Sequence, residues 1–252
     1  MLRNIFRVYK PKLVFIMEPM NVYSDVYVRF FCSFNFHLLS MCDTINNVAK
    51  LWCLGDTDVS FLILHSSMQF VSVSMLWHGV SLHFVGVYAS SFHVRRWSFW
   101  NKFGNLQGPW CILGDFNVVF FAEESKGGNP PKEVSTNEFD NWVNSNNFPS
   151  LPFTNSFYTW TNGRLGVHGV DRKLDKTFAN FDCLHLCKAC NYYILPGRNY
   201  DHHPILLSMS NDAAIARPSS FRFLFIRGCN MMVCYLWLNH HVGWMSHVGV
   251  SK

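Results

Sequence analysis

The chain has 252 residues, of which 49% are hydrophobic, 17% aromatic and only 15% charged, with a formal net charge of +5. Soluble domains carry roughly 25% charged residues, so this composition excludes a disordered chain and points to a largely buried sheet in one large domain or two small ones. The mild positive charge is compatible with a polyanionic partner without arguing for one.

Met1–Tyr9 reads as a short basic helix, with Leu2, Ile5, Phe6 and Tyr9 on one side, stopped by Pro11. Leu13–Met17 is a continuous apolar run, the mark of a strand covered on both faces, and Glu18-Pro19 closes it. Phe30–Phe36, Phe61–Leu64, Phe70–Leu76 and Leu82–Tyr88 are β-rich runs separated by polar breaks. Val71, Val73 and Met75 alternate with Ser72 and Ser74, which predicts a half-buried strand. Val94–Leu106 predicts a helix whose Trp97, Trp100 and Phe103 form an inward stripe.

Trp110–Gly114 predicts a buried strand that ends in Asp115-Phe116-Asn117. A rigid strand delivering an acid and an amide at its tip suits chemistry, although an Asx turn accounts for the same residues. Ser135-x-x-Glu138 has the form of a capping box before a helix that faces Phe139, Trp142 and Val143 inward. Phe157–Thr161 predicts a strand, Asn162-Gly163 a hairpin-type turn, and Leu174–Phe178 and Ile205–Met209 two further strands. Past Arg217 the pattern decays into a Trp/His/Cys-rich tail without a placement. The organisation expected is therefore a domain over residues 1–210 and an unassigned basic, aromatic-rich segment over 211–252. The class is α+β, with two packed sheets flanked by helices.

Nine cysteines without regular spacing, and no secretory leader, predict reduced thiols in an intracellular compartment. No apolar run approaches the ~20 residues of a membrane span. Cys183-x-His185-x-Cys187-x-x-Cys190 is cramped for zinc, and cysteines of an apolar helix after Asn180 are the plainer reading. His240-His241, with Trp237 and Trp244 beside Arg222 and Arg227, could stack on single-stranded nucleic acid, but an unselected extension is the simpler account.

Glu18, Asp115, Asn117, Asp175, Asp201 and His202 all stand at the ends of apolar strands. Carboxylate and amide oxygens are hard ligands suited to Mg²⁺, and a histidine beside an acid can stabilise an anionic transition state. Together they fit metal-assisted hydrolysis of a phosphate ester.

The motifs Leu13–Met20, Gly86–Ser90, Trp110–Asn117, Phe157–Gly163, Arg172–Lys176 and Asp201–Pro204 also occur in the order of a known family. The chain resembles the endonuclease/exonuclease/phosphatase superfamily of DNase I-like fold. Within it, the Gly127–Pro131 loop and the Phe153–Trp160 stretch are similar to the endonuclease domain of plant LINE-type non-LTR retrotransposons. The resemblance covers about Tyr9–Ser208 and implies a four-layered α/β sandwich with its site at one rim.

It further implies that Glu18 and Asp201 serve the metal, Mg²⁺ with Mn²⁺ as its substitute. Tyr88 would contact the scissile phosphate, and Asp115 would deprotonate the attacking water. Asn117 would help hold that water, Asp175 would pair with His202, and Trp160 and Asn162 would contact substrate. The implied activity nicks one DNA strand to leave a 3′-hydroxyl that primes reverse transcription, with DNA as partner, no membrane, no obligate protein partner and a nuclear location. Another phosphoesterase of the same fold, or a non-catalytic retroelement fragment, remain as alternatives. The family's first strand, with a metal-binding asparagine, has no counterpart before Leu13, and Tyr200 replaces the usual serine. An N-terminal truncation of this kind is expected to leave a central sheet edge exposed.

Overall fold

The computed structural model describes residues 2–42, 44–45, 48–103, 106–149, 151–187, 189–196, 201–210 and 231–237, with 44–45 and 231–237 described by backbone alone. Helix α1 (Leu2–Tyr9) leads into β1 (Leu13–Met17), α2 (Asp25–Cys32), β2 (Phe36–Met41) and a small hairpin of β3 (Thr44–Ile45) and β4 (Val48–Ala49). Four long strands follow: β5 (Leu51–Asp56), β6 (Phe61–Ser66), β7 (Phe70–Trp77) and β8 (Val80–Tyr88). Helix α3 (His93–Lys102), β9 (Trp110–Asp115), the short β10 (Ser125–Lys126) and α4 (Glu133–Ser145) come next. Three short strands, β11 (Phe153–Asn155), β12 (Trp160–Thr161) and β13 (Asp171–Arg172), precede β14 (Asp175–Ala179) and α5 (Phe181–Leu186). The last strands are β15 (Ala189–Ile194), β16 (Ile205–Ser210) and β17 (Met231–Trp237).

Two sheets dominate, ordered β11-β15-β16-β17-β1-β5-β2 and β14-β9-β8-β7-β6. They pack face to face, and β1 shows why both of its faces had to be apolar. Phe15 points to the second sheet, where a Cβ placed on Gly86 of β8 would lie 2.2 Å from its ring. Ile16 points the other way, in register with Trp52 of β5, and Trp52 is covered by Tyr23, Tyr27 and Phe31 of the α2 region. On the far side of the second sheet, Phe99, Trp100 and Phe103 of the α3 segment meet Phe139 and Trp142 of α4 over Phe116 and Phe178. The result is a helix–sheet–sheet–helix arrangement, a mixed α+β fold of DNase I-like form.

Several local expectations give way to tertiary context. Phe30–Phe36 is not one strand: Phe30–Cys32 ends α2, a turn follows, and only Phe36 enters β2, because Tyr27, Phe30, Phe31 and Phe34 recur at helical spacing and meet one another and Trp52. Ser72 and Ser74 are buried too; they share a face of β7 with Phe70, which packs on Phe99 and Phe103 of the α3 segment, and the Ser72 hydroxyl donates to the His65 carbonyl of the neighbouring β6. In α3 the inward stripe includes Arg96 and Phe99 with Trp100, whereas Trp97 is exposed and donates to Glu138 at 2.6 Å. The Ser135/Glu138 capping box does not form: α4 starts at Glu133, and both residues instead serve α3, Ser135 receiving Arg96. Asn162-Gly163 opens a loop running to Val170 rather than a two-residue hairpin.

The edge beside β1 is not exposed. Met231–Trp237, from the segment that the sequence leaves without a placement, runs parallel to β1 and antiparallel to β16, between the two. The seven-stranded sheet therefore takes in part of 211–252. The rest of that segment, with His240, His241 and Trp244, and Tyr200, lie outside the described residues. Among the described residues no helix is long and apolar enough to cross a membrane.

Gly86→Ala should lower stability by about 1–3 kcal/mol through overpacking, read as a shifted urea midpoint. Adding Phe15→Leu should recover part of that loss, because the two changes share one contact.

Candidate active site

The site is assembled by strand register. Asp115 ends β9, directly opposite Asp175 at the start of the antiparallel β14 and in register with Tyr88 at the end of the parallel β8. Two carboxylates thus face each other at 2% and 0% exposure. His202 answers them: its Nδ1 lies 2.8 Å from Asp175 Oδ2, and the ring is buried. Asp201-His202 reaches this point because Thr161 N–H donates to the Asp201 carbonyl at 2.8 Å, and His203 N–H to that of Thr159 at 2.7 Å.

The electrostatics follow from this packing. Burial, then the facing Asp175, push the Asp115 carboxyl up to about 7. Burial opposes charge on His202, but Asp175, with Asp115 and Asp201 beyond it, outweighs burial and raises the imidazole above its ordinary value. Burial and Glu18 hold the Tyr88 phenol protonated.

Asn117 fixes the base candidate. Its backbone N–H donates to Asp115 Oδ1 at 2.8 Å and its side-chain amide to Oδ2 at 2.9 Å and to the Ala89 carbonyl at 2.8 Å. It does so with a left-handed backbone, φ 50°, which asparagine tolerates. Glu18, just past β1, also has a positive φ of 41°, a costlier conformation for a longer side chain. Its carboxylate accepts from the Tyr88 hydroxyl and has Lys50 Nζ at 3.8 Å.

Seven of the nine residues named from the sequence therefore converge: Glu18, Tyr88, Asp115, Asn117, Asp175, Asp201 and His202. Asp201 is held beside His202 by the bond from Thr161 N–H to its carbonyl, and its charge adds to the upward shifts of Tyr88 and His202. Trp160 stands beside the group, forming a β-bridge with His202 and lying 6.4 Å from it ring to ring. Asn162 does not join them. Its amide holds its own loop closed, accepting from the Arg164 and Val170 N–H groups and donating to the His168 carbonyl.

Three contributors were missed from the sequence. The Thr159 hydroxyl, fully buried, accepts from the N–H groups of both Leu174 and Asp175, at 3.0 and 2.9 Å, and so sets the start of β14. Arg96, 1% exposed, donates to the Ser90 and Asn117 carbonyls at 2.7 and 3.3 Å, pinning the two loops that flank the acids. Lys50 brings a cation to Glu18. A buried arginine reads in sequence as a solvated helix position, and only its location in the aromatic stripe hinted otherwise.

No protein-family model matches the sequence, and no curated protein does. Solved structures do. The endonuclease domain of TRAS1, a telomere-specific non-LTR retrotransposon, superposes with a TM-score of 0.55 at 13% identity over 79% of this chain and 98% of that domain. The chain has the endonuclease/exonuclease/phosphatase fold. The 3′ phosphatase NExo from Neisseria, solved with a product DNA hairpin, gives a TM-score of 0.58 at 13% identity, covering 81% of this chain and 91% of that one. An endonuclease/exonuclease/phosphatase family protein from Leptotrichia buccalis gives 0.50 at 13% identity, over 82% and 90%. In this fold the seven converging side chains sit where the ends of β1, β8 and β9 meet the start of β14 and the lead-in to β16.

The oxygen donors bear on whether a divalent cation can bind. Among the described residues no group of three or more His, Cys, Asp or Glu side chains could hold a metal by itself, which also removes Cys183–Cys190 as a zinc site. Mg²⁺, however, usually takes one or two carboxylates and completes its shell with water and phosphate. Glu18 at the mouth, 32% exposed in its side chain, fits that mode, with Mg²⁺ competing there against Lys50 at 3.8 Å.

In metal-free buffer the Asp115 carboxyl should hold a proton in the folded state between its unfolded value near 3.9 and about 7. Folding stability should therefore fall as pH rises through that window, and Asp115→Asn should flatten it in urea titrations. His202, whose folded value is raised, contributes a further fall at higher pH, which His202→Gln should remove. Thr159→Val should leave two buried N–H groups without their acceptor, costing about 1–3 kcal/mol each. That change should appear in both the thermal midpoint and the position of Asp175.

Proposed function

We propose that this chain is a divalent-metal-dependent phosphodiesterase that nicks DNA and leaves a 3′-hydroxyl, and that it derives from a LINE-type non-LTR retroelement. The observation that carries this reading is the opposed Asp115–Asp175 pair with His202 held on Asp175. A histidine kept cationic in a buried site is suited to an anionic, five-coordinate phosphorus, and a carboxyl near 7 is suited to taking a proton at neutral pH. The likeness to the TRAS1 endonuclease domain and to NExo supports DNA as the substrate class, and a DNA substrate would place the protein's work in the nucleus.

In this mechanism Asp115, oriented by Asn117 on both oxygens, removes a proton from water as it attacks phosphorus. The P–O3′ bond breaks, and the departing oxygen takes up a proton to become the 3′-hydroxyl. His202 donates to a phosphoryl oxygen while Asp175 holds its Nδ1 side. Tyr88, kept as a phenol, offers its hydroxyl at the phosphate. Glu18, with Asp201, would hold Mg²⁺ or Mn²⁺. A bound ion supplies positive charge to the phosphate and the leaving oxygen.

Purified protein should relax supercoiled plasmid with Mg²⁺ and not with excess EDTA. Asp115→Ala should lower the nicking rate by about 10²–10⁴, and His202→Gln by about 10²–10³. Asp115→Ala should keep or raise the melting temperature, because it relieves a carboxylate pair. Nicking that survives Asp115→Ala, or that ignores EDTA, would overturn the mechanism. A folded protein that never nicks would leave only the fold in common with the nucleases.

A further inference from the structure

Two cavities flank the acids and meet at Ser91, Phe92 and Asn117. The larger, about 840 Å³, is bounded by Tyr88 and Asn117 on the site's side and by Lys50, Arg95 and Lys102 around it. The smaller, about 290 Å³, carries Lys132 and Arg172. Neither lining includes an aspartate or glutamate among the described residues. These five cations, of which Lys50 also faces Glu18 at 3.8 Å, make a path for a polyanion.

Charge alone does not account for the larger cavity. Its wall includes Phe92 at 65% exposure, with Met68 and Val94 also more than half exposed. The Arg95 guanidinium lies over the Phe92 ring at 5.2 Å from its centroid. One face of the ring is thus braced by a cation, and the ring remains largely open to solvent. The wall is held in place: the Gln69 amide donates to the Arg95 carbonyl at 2.9 Å and to the Ser98 hydroxyl at 3.1 Å, and its oxygen accepts from Ser90 N–H at 2.8 Å. A paired duplex presents phosphates to such a surface and has no use for an exposed aromatic ring. An unpaired base has a π-face to lay on it.

We propose that the larger cavity seats an unpaired nucleotide next to the scissile phosphate, its base stacked on Phe92 and its flanking phosphates taken by Arg95 and Lys102. The inference rests on the phosphodiesterase reading above and narrows its substrate to DNA with an unpaired nucleotide at the cleavage point. Phe92 is a binding residue here, with no part in the chemistry.

The test measures binding separately from cleavage. The full chain, in EDTA, is titrated into a fluorescent single-stranded oligonucleotide containing 2-aminopurine and into a hairpin duplex of the same composition. The single strand should bind more tightly, with quenched 2-aminopurine emission. Phe92→Ala should weaken single-strand binding roughly 5- to 150-fold, the range for one lost base–aromatic stack, and abolish the quenching. Phe92→Trp should restore both. Arg95→Ala and Lys102→Ala should each reduce the slope of log affinity against log salt by about one. Phe181→Ala, at an exposed ring on α5 away from either cavity, is the control and should bind as the parent does.

Equal affinity for both DNAs, or a Phe92→Ala protein that binds and quenches like the parent, overturns the proposal whether or not the protein nicks plasmid. Absence of binding to either DNA overturns it as well. Stacking that depends on Phe92 in a protein without nicking activity would uphold the binding site while sinking the catalytic reading.

Discussion

Two buried carboxylates placed opposite each other on neighbouring strands are the constraint around which the rest of this structure is arranged. Like charges in direct cross-strand register repel, and burial of both removes the water that would screen them. The pair is tolerable only with one proton shared into it or one cation brought to it. His202 is that cation, and the protonation of Asp115 near neutrality is the residue of the conflict. Everything nearby serves to keep the pair in place. Asn117 binds both oxygens of one acid, and Thr159 fixes the backbone that presents the other.

The sheets explain how such a costly cluster can be rigid. β9 is flanked by β8 and β14 and covered by cores on both faces, so the Asp115 backbone has little freedom. β1 and β16 bring Glu18 and His202 from the other sheet, and the close approach of Gly86 to Phe15 sets the separation of the two layers there. The site therefore straddles the two sheets. Its geometry depends on how the layers pack as much as on any single loop.

What could be read from the sequence was the set of residues whose identity is tied to local pattern. An acid or amide immediately after a run such as Trp110–Gly114 must emerge at a strand end, so Glu18, Asp115, Asn117, Asp175 and Asp201-His202 were visible as candidates. Which of them share one rim is a matter of strand order, and the order β14-β9-β8 carries no local signal. It came from the family resemblance instead. Thr159 and Arg96 were invisible for a different reason: a threonine just before a short strand and an arginine on a helix face acquire their meaning from partners far along the chain. Trp97 and the Ser135/Glu138 pair misled because local periodicity and capping chemistry were overruled by the contact between α3 and α4. Asn162 was placed by motif in the substrate path, and the bonds of its amide that close its own loop had no local signal.

The position of β17 has a consequence for how the chain reaches this state. Leu13 pairs with Val233 and Met17 with Trp237, so the strand carrying Glu18 is joined along one side by backbone from the opposite end of the sequence. Contacts between such distant residues close the longest loops available and raise contact order, which slows folding. During synthesis β1 would leave the ribosome well before β17, which pairs along its side. Until then one side of β1 and one side of β16 present open backbone. The interval between the synthesis of β1 and that of β17 is thus a period of exposure to mispairing.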